Sequence, residues 1–113
     1  MSSRYNIPSI IKGDTFNVLQ FTLTINSVAA DLTNYSIACK FRRGGKRGTE
    51  VKSISVGSGI TLSDPTNGVF VIDAFNLDWE ADTYYYDIEF TTAAGLIDTY
   101  IYGTLVVNQD VTY

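Results

Sequence analysis

The chain has 113 residues, a net charge of −4, one Cys and no His, and 45% of its residues are hydrophobic. This length indicates one domain, residues 1–113, that can bury a core without cross-links. A single Cys excludes an internal disulfide, and the lack of His excludes Ser-His-Asp and Cys-His catalysis and His-ligated metal sites. We expect no membrane span, because no apolar run approaches about 18 residues, and no secretory signal, because the first residues lack an apolar core.

Apolar and polar residues alternate along the chain with the period of β-strands. In chain order, the alternating segments are residues 16–25, 37–42, 54–56, 60–62, 69–72, 84–90 and 99–107. The parity changes between Phe16 and Leu19, which predicts a bulge or a change of face. No window has the period of an amphipathic helix, and only one helical turn, at residues 76–81, is expected. About seven strands at this spacing predict an antiparallel β-sandwich.

Loops and chain ends complete this outline. The glycines of residues 43–48 predict a hairpin, and Pro and Asn-Gly within residues 64–68 predict a turn. Residues 1–9 and 108–113 are the expected extended arms. Tyr5, Ile7 and Ile10 make the N-terminal segment apolar enough to add as a strand to the sheet of a neighbouring molecule.

Charge is divided unevenly along the sequence. Residues 1–52 hold all eight basic and three acidic residues, a net of +5, whereas residues 53–113 hold nine acidic residues and none that is basic, a net of −9. The residues concerned form a basic cluster and an acidic cluster: Lys40, Arg42, Arg43, Lys46 and Arg47, and Asp78, Glu80 and Asp82. If the clusters lie at opposite ends of the molecule, they predict head-to-tail contacts between copies. If strands from both halves interleave, the division disappears in the folded molecule.

Other ligands for the two clusters are less well supported. A basic patch can bind phosphates without reading sequence, but the acidic total charge and the single aromatic neighbour, Phe41, argue against nucleic acid. Oxygen donors at Asp78, Glu80 and Asp82 have the spacing of a calcium loop. The glycine and the distant Glu that such loops need are missing, so a solvated acidic turn is favoured. We therefore expect no metal and no cofactor.

Tyrosines supply the remaining candidate surface. Tyr85, Tyr100 and Tyr102 are the interaction candidates, with Tyr100 and Tyr102 expected on the same face of the last strand. Tyr84, Tyr85 and Tyr86 form a cluster that suits a surface on which sugar rings stack, although such a cluster is more often core on one side and interface on the other. Cys39 alternates with apolar residues and is expected to be an inert core thiol. No nucleophile has an activating base, so we predict that the protein is not an enzyme.

Five short motifs occur in a familiar order: residues 11–16 (IKGDTF), 30–35 (ADLTNY), 67–70 (NGVF), 82–88 (DTYYYDI) and 103–107 (GTLVV). Together, over about residues 11–112, they resemble the immunoglobulin-like N-terminal domain of bacteriophage baseplate upper proteins and related domains of phage tail and head fibres. The family often has Gly before the first Tyr of the penultimate strand, where this chain has Asp82 and Thr83. The resemblance implies an all-β, antiparallel immunoglobulin-like β-sandwich of about seven strands.

The same resemblance implies a function. It suggests a structural virion protein, made in the host cytoplasm, that serves as an adaptor or decoration subunit in a tail, baseplate or capsid. Its partners would be other virion proteins, and a homo-oligomer, trimer or hexamer, is expected. The alternative is a carbohydrate- or host-surface-binding module that uses the Tyr-rich face.

Overall fold

The computed structural model describes residues 3–109, in which short loops join β-strands. This range contains thirteen strands, a 3₁₀ helix over Pro65–Asn67 and no α-helix. The strands are β1 (Ser3–Arg4), β2 (Ile7–Ile11), β3 (Thr15–Phe16), β4 (Leu19–Thr22), β5 (Thr24–Ile25), β6 (Val28–Ala29), β7 (Ser36–Arg43), β8 (Thr49–Val56), β9 (Gly59–Asp64), β10 (Val69–Ile72), β11 (Phe75–Asn76), β12 (Asp82–Thr91) and β13 (Ile97–Asn108). The chain is all-β, as predicted, but has more strands than expected because several contain only two residues.

Nine strands form the main sheet, in the order β1-β13-β12-β7-β8-β9-β10-β4, with β2 also paired to β13. β1 and β2 run parallel to β13, and β8 runs parallel to β9. The sheet is therefore mixed, not purely antiparallel as expected. The parallel contact of β8 with β9 arises because the chain kinks at Gly57 and Gly59, whose φ angles of 86° and 106° suit glycine, and then continues in the same direction.

The main sheet curls, so that its two ends approach each other. The ring of Tyr5, which follows β1, lies 5.7 Å from the ring of Phe21 in β4. The concave side encloses the core, to which β7 and β12 contribute alternate residues: Ile37, Cys39, Phe41, Tyr84, Tyr86, Ile88 and Phe90. Side chains of the other parity lie on the outer face, where the candidate site is located.

Three local predictions are confirmed. β7 and β8 pair as a hairpin around the glycine-rich loop. The predicted turn contains the 3₁₀ helix and ends at Gly68 with a φ of 75°. The change of parity after Phe16 is a change of partner, because β3 pairs with β11 whereas β4, which starts at Leu19, pairs with β10.

The predicted helical turn at residues 76–81 is wrong. Leu77 N donates to Asp14 O at 3.1 Å, and Leu77 O accepts from Gly13 N at 2.8 Å. The Leu77 side chain is fully buried. These bonds join the segment to a part of the chain distant in sequence, and no local pattern reveals such a partner.

The N-terminal segment belongs to the sheet of its own chain. Tyr5 N donates to Tyr102 O at 2.8 Å, and β1 and β2 lie along β13. Residues 3–9 therefore do not form the free arm that was expected. In the rest of the two predicted arms, residues 1–2 and 110–113 lie outside the described residues. Asn108, the first residue of the predicted C-terminal arm, is the last residue of β13.

Candidate functional site

The outer face of β7, β12 and β13 collects several of the residues singled out from the sequence. Tyr85 in β12 pairs with Arg42 in β7 on one side. Asp87, two residues further along β12, pairs with Lys40 on one side and with Tyr102 on the other. Since alternate residues of a strand share a face, the antiparallel pairing brings these five side chains together.

A groove of about 370 Å³ lies on this face. Its lining comes from the three strands and the β7–β8 loop: Arg42, Lys46, Tyr85, Tyr86, Asp87, Thr99, Tyr102 and Gly103. The volume falls within the usual range for small-ligand sites, about 300–1,000 Å³. Of the predicted interaction residues, the groove therefore unites Arg42, Lys46, Tyr85 and Tyr102.

Charges of both signs line this groove. Arg42 Nη1 donates to Asp87 Oδ2 at 3.3 Å, and both side chains are half-buried. The other carboxylate oxygen, Asp87 Oδ1, is buried and has no hydrogen-bond partner among the described residues. Lys46 Nζ lies 5.3 Å from the centre of the Tyr102 ring, a cation–π contact. The groove thus holds two cations and one carboxylate, with a net charge of +1.

Tyr100 does not share this face with Tyr102, contrary to the prediction. A β-bulge shifts the register between Ile88 and Glu89, which pair with Ile101 and Thr99. The extra residue in β13 turns Tyr100 towards the core, where its ring packs 5.5 Å from that of Phe90. The sequence gives no sign of this bulge, because the alternation of β13 looks regular until its pairing with β12 is known.

The basic and acidic clusters meet within one chain, so the premise that they lie at opposite ends is wrong. Arg43 Nε donates to Asp82 Oδ2 at 2.8 Å, because β7 and β12 are neighbours. Asp82 Oδ1 also accepts from Thr83 N at 2.7 Å. The hydrogen bond from Arg43 lowers the pKa of the Asp82 carboxyl, and the same bond raises the pKa of the Arg43 guanidinium. Strands from the basic half and the acidic half of the sequence are therefore neighbours in the sheet, which confirms the alternative that the two halves interleave.

Asp78, Arg47 and Glu80 remain at the surface. Asp78 Oδ1 lies 4.0 Å from Lys12 Nζ. Arg47 and Glu80 have exposed side chains. Within residues 3–109 no group of three potential metal-ligating side chains occurs.

Tyr84 and Tyr86, which the sequence offered together with Tyr85 as a surface for sugar rings, have structural roles instead. The hydroxyl of Tyr84 donates to Glu80 O at 2.7 Å, and that of Tyr86 donates to Tyr5 O. Burial raises the pKa of both phenols. The sequence analysis did not identify Asp87 as a binding residue. It alternates with Tyr85 along β12 and so lies on the same face, which would have been sufficient to identify it.

Cys39 has the surroundings of a structural residue. It is fully buried, and burial raises the pKa of its thiol. A thiol that stays protonated is a poor nucleophile.

The part of the chain that the structure describes has no helix long and apolar enough to cross a membrane.

Comparison with known proteins assigns no family. No model of a known protein family matches the sequence, and a search among curated proteins found no match.

Proposed function

We propose that the protein is a structural virion protein of a bacteriophage, an immunoglobulin-like adaptor or decoration subunit that binds other virion proteins. The motifs quoted above supply the resemblance to phage baseplate and fibre domains. The supporting observation from the structure is the order of its strands, which agrees with an immunoglobulin-like sandwich in its main features.

The order is best seen by giving the strands immunoglobulin letters. β13, β12, β7 and β8 are adjacent and correspond to G, F, C and C′, whereas β9, β10 and β4 are adjacent and correspond to D, E and B. In an immunoglobulin-like sandwich these two groups of strands form separate sheets, whereas here both belong to the one curled main sheet. In this assignment the short parallel contact of β8 with β9 joins the two groups at one edge.

A side-chain feature supports the same assignment. In immunoglobulin-like domains, a Tyr near the start of strand F often donates its hydroxyl to the backbone a few residues upstream. Tyr84 lies near the start of β12 and donates to Glu80 O at 2.7 Å. Its ring packs 5.0 Å from that of Trp79, which in turn lies 5.4 Å from Phe41 of β7.

The surface agrees with a role in binding rather than catalysis. Val28, Leu96 and Ile97 are each more than 60% exposed and lie at or beside the turns of two hairpins. Leu96 and Ile97 are adjacent at one of these turns, and exposed apolar side chains side by side are more typical of a protein contact than isolated ones. In the proposed role these tips contact neighbouring virion proteins.

Phage particles purified from cells that carry and express the gene for this chain test the proposal. Quantitative mass spectrometry of purified particles should find the protein at a copy number that is a multiple of three or six, as expected for a subunit on a symmetric assembly. The matched control is a non-structural protein encoded by the same genome, which should be absent. Absence of the chain from particles that contain the other structural proteins would contradict the proposal.

A further inference from the structure

The outer-face groove has no evident role in holding the fold together. Asp87 is part of its lining, opposite Tyr102 on the neighbouring strand and two residues from Tyr85. Two tyrosine side chains thus flank one carboxylate, and Arg42 and Lys46 supply cations beside it. Such a combination of aromatic surface with a few placed polar groups is characteristic of small-ligand sites.

The polar groups of the groove have hydrogen-bonding capacity to spare. A carboxylate can accept about four hydrogen bonds, yet Asp87 accepts only the long 3.3 Å bond from Arg42 among the described side chains. Oδ1 is buried, so a ligand reaches this carboxylate through Oδ2, on a side chain that is 33% exposed and whose one bond from Arg42 leaves lone pairs free. Lys46 contacts the Tyr102 ring and has N–H groups left for a ligand.

The hydrogen-bonding groups of the groove indicate the chemical class of its ligand. A simple anion such as a carboxylate or sulfate accepts hydrogen bonds from Arg42 but has no proton to donate to Asp87. A cation would be attracted by Asp87 and repelled by the two basic side chains. A neutral polyhydroxyl compound both donates to the carboxylate and accepts from the cations, while its apolar C–H face packs on tyrosine rings.

We propose that the groove binds a neutral sugar ring of a glycan, with Asp87 as hydroxyl acceptor, Arg42 and Lys46 as donors, and Tyr85 and Tyr102 as packing surfaces. This inference does not depend on the proposed virion role. It concerns a face of the sheet separate from the apolar hairpin tips.

Titration of the ¹⁵N-labelled protein with tetrasaccharides of glucose, galactose, mannose and N-acetylglucosamine tests the inference. At least one should shift the backbone amide signals of Tyr85, Tyr102 and Gly103 at up to about 10 mM, a concentration that reveals dissociation constants near 1 mM. The affinity should not change between low and high salt, since a neutral ligand is not screened.

Variants separate this site from adventitious contacts. Asp87→Asn and, independently, Tyr102→Ala should each weaken binding by about tenfold, the loss of one hydrogen bond or one packing surface. Glu89→Gln is the matched control, because Glu89 lies on β12 with the same parity but does not line the groove. The amide spectrum of each variant shows whether it is folded. If one of the variants Asp87→Asn and Tyr102→Ala does not fold, the other is sufficient for the comparison with Glu89→Gln.

Three results would overturn the inference. One is no shift with any of the four tetrasaccharides. Another is binding that both groove variants leave unchanged. The third is a preference for an acidic oligosaccharide, tested with oligogalacturonate, that salt abolishes, since it would make the basic side chains alone responsible.

Discussion

On the inner face of β12, Tyr84 and Tyr86 are 1% and 3% exposed, and each donates its hydroxyl to a backbone carbonyl. On the outer face of the same strand, Tyr85 and Asp87 are half-buried and line an open groove. Strand parity alone separates these neighbours. The inner residues hold the fold together and the outer ones are available to a ligand, so substitutions on the two faces should change different properties.

The largest expected effect is the contrast between Tyr84→Ala and Tyr85→Ala. Removal of the buried ring of Tyr84 leaves a cavity and should lower the free energy of unfolding by about 3–5 kcal/mol. Tyr85→Ala removes a half-buried side chain from the outer face and should change it by no more than about 1 kcal/mol, the loss of its cross-strand contacts. Urea denaturation of the two variants measures both values, and equal losses would show that the faces are not divided as described.

Gly103→Ala should give the next largest effect. A Cβ at this position would lie 1.8 Å from Tyr5 O, so the N-terminal segment would have to move away from β13. Steric strain of this kind typically costs about 1–3 kcal/mol. Hydrogen exchange should show faster exchange of the Tyr5 amide, which is bonded to Tyr102 O.

Val106→Ala is the control for this substitution, since it alters an exposed side chain of the same strand. Protection of the Tyr5 amide should stay unchanged in that variant. Unchanged protection in Gly103→Ala as well would contradict the close approach of the two segments.

A smaller effect is expected from the ionisation of Tyr86. Burial raises the pKa of this phenol above its ordinary value of 10 in the folded protein. The unfolded chain therefore releases the proton first as the pH rises above about 10. Since the unfolded state then binds fewer protons, the contribution of Tyr86 to stability is present below that pH and is lost above it.

Tyr86→Phe isolates this contribution from the other groups that titrate at high pH. The variant lacks the bond to Tyr5 O and should be less stable by about 0.5–1.5 kcal/mol at neutral pH. Its stability should then fall less steeply than that of the wild type in urea denaturation above about pH 10. Parallel curves for the two proteins would show that the phenol is not held protonated by the fold.

The division of β12 was predictable from the sequence, because the period of two places Tyr84 and Tyr86 on the face opposite Tyr85 and Asp87. The core position of Cys39 was predictable for the same reason. Both depend only on alternation within one strand.

Long-range pairing was not predictable in this way. The ion pair of Arg43 with Asp82 exists because β7 lies beside β12, and the docking of Tyr5 exists because β1 runs along β13. The position of Tyr100 depends on a bulge that only the register reveals. These features arise from strand order, which residue pattern does not specify.

The claim that copies of this chain associate with one another is tested most directly by the solution mass from light scattering at low and high salt. We predict a trimer or hexamer with the same mass at both salt concentrations. Salt should have no effect because Arg42 and Arg43 already pair with Asp87 and Asp82 within the chain. A monomer at both salt concentrations would contradict the predicted homo-oligomer, and a mass that falls on addition of salt would show that charged contacts join the copies.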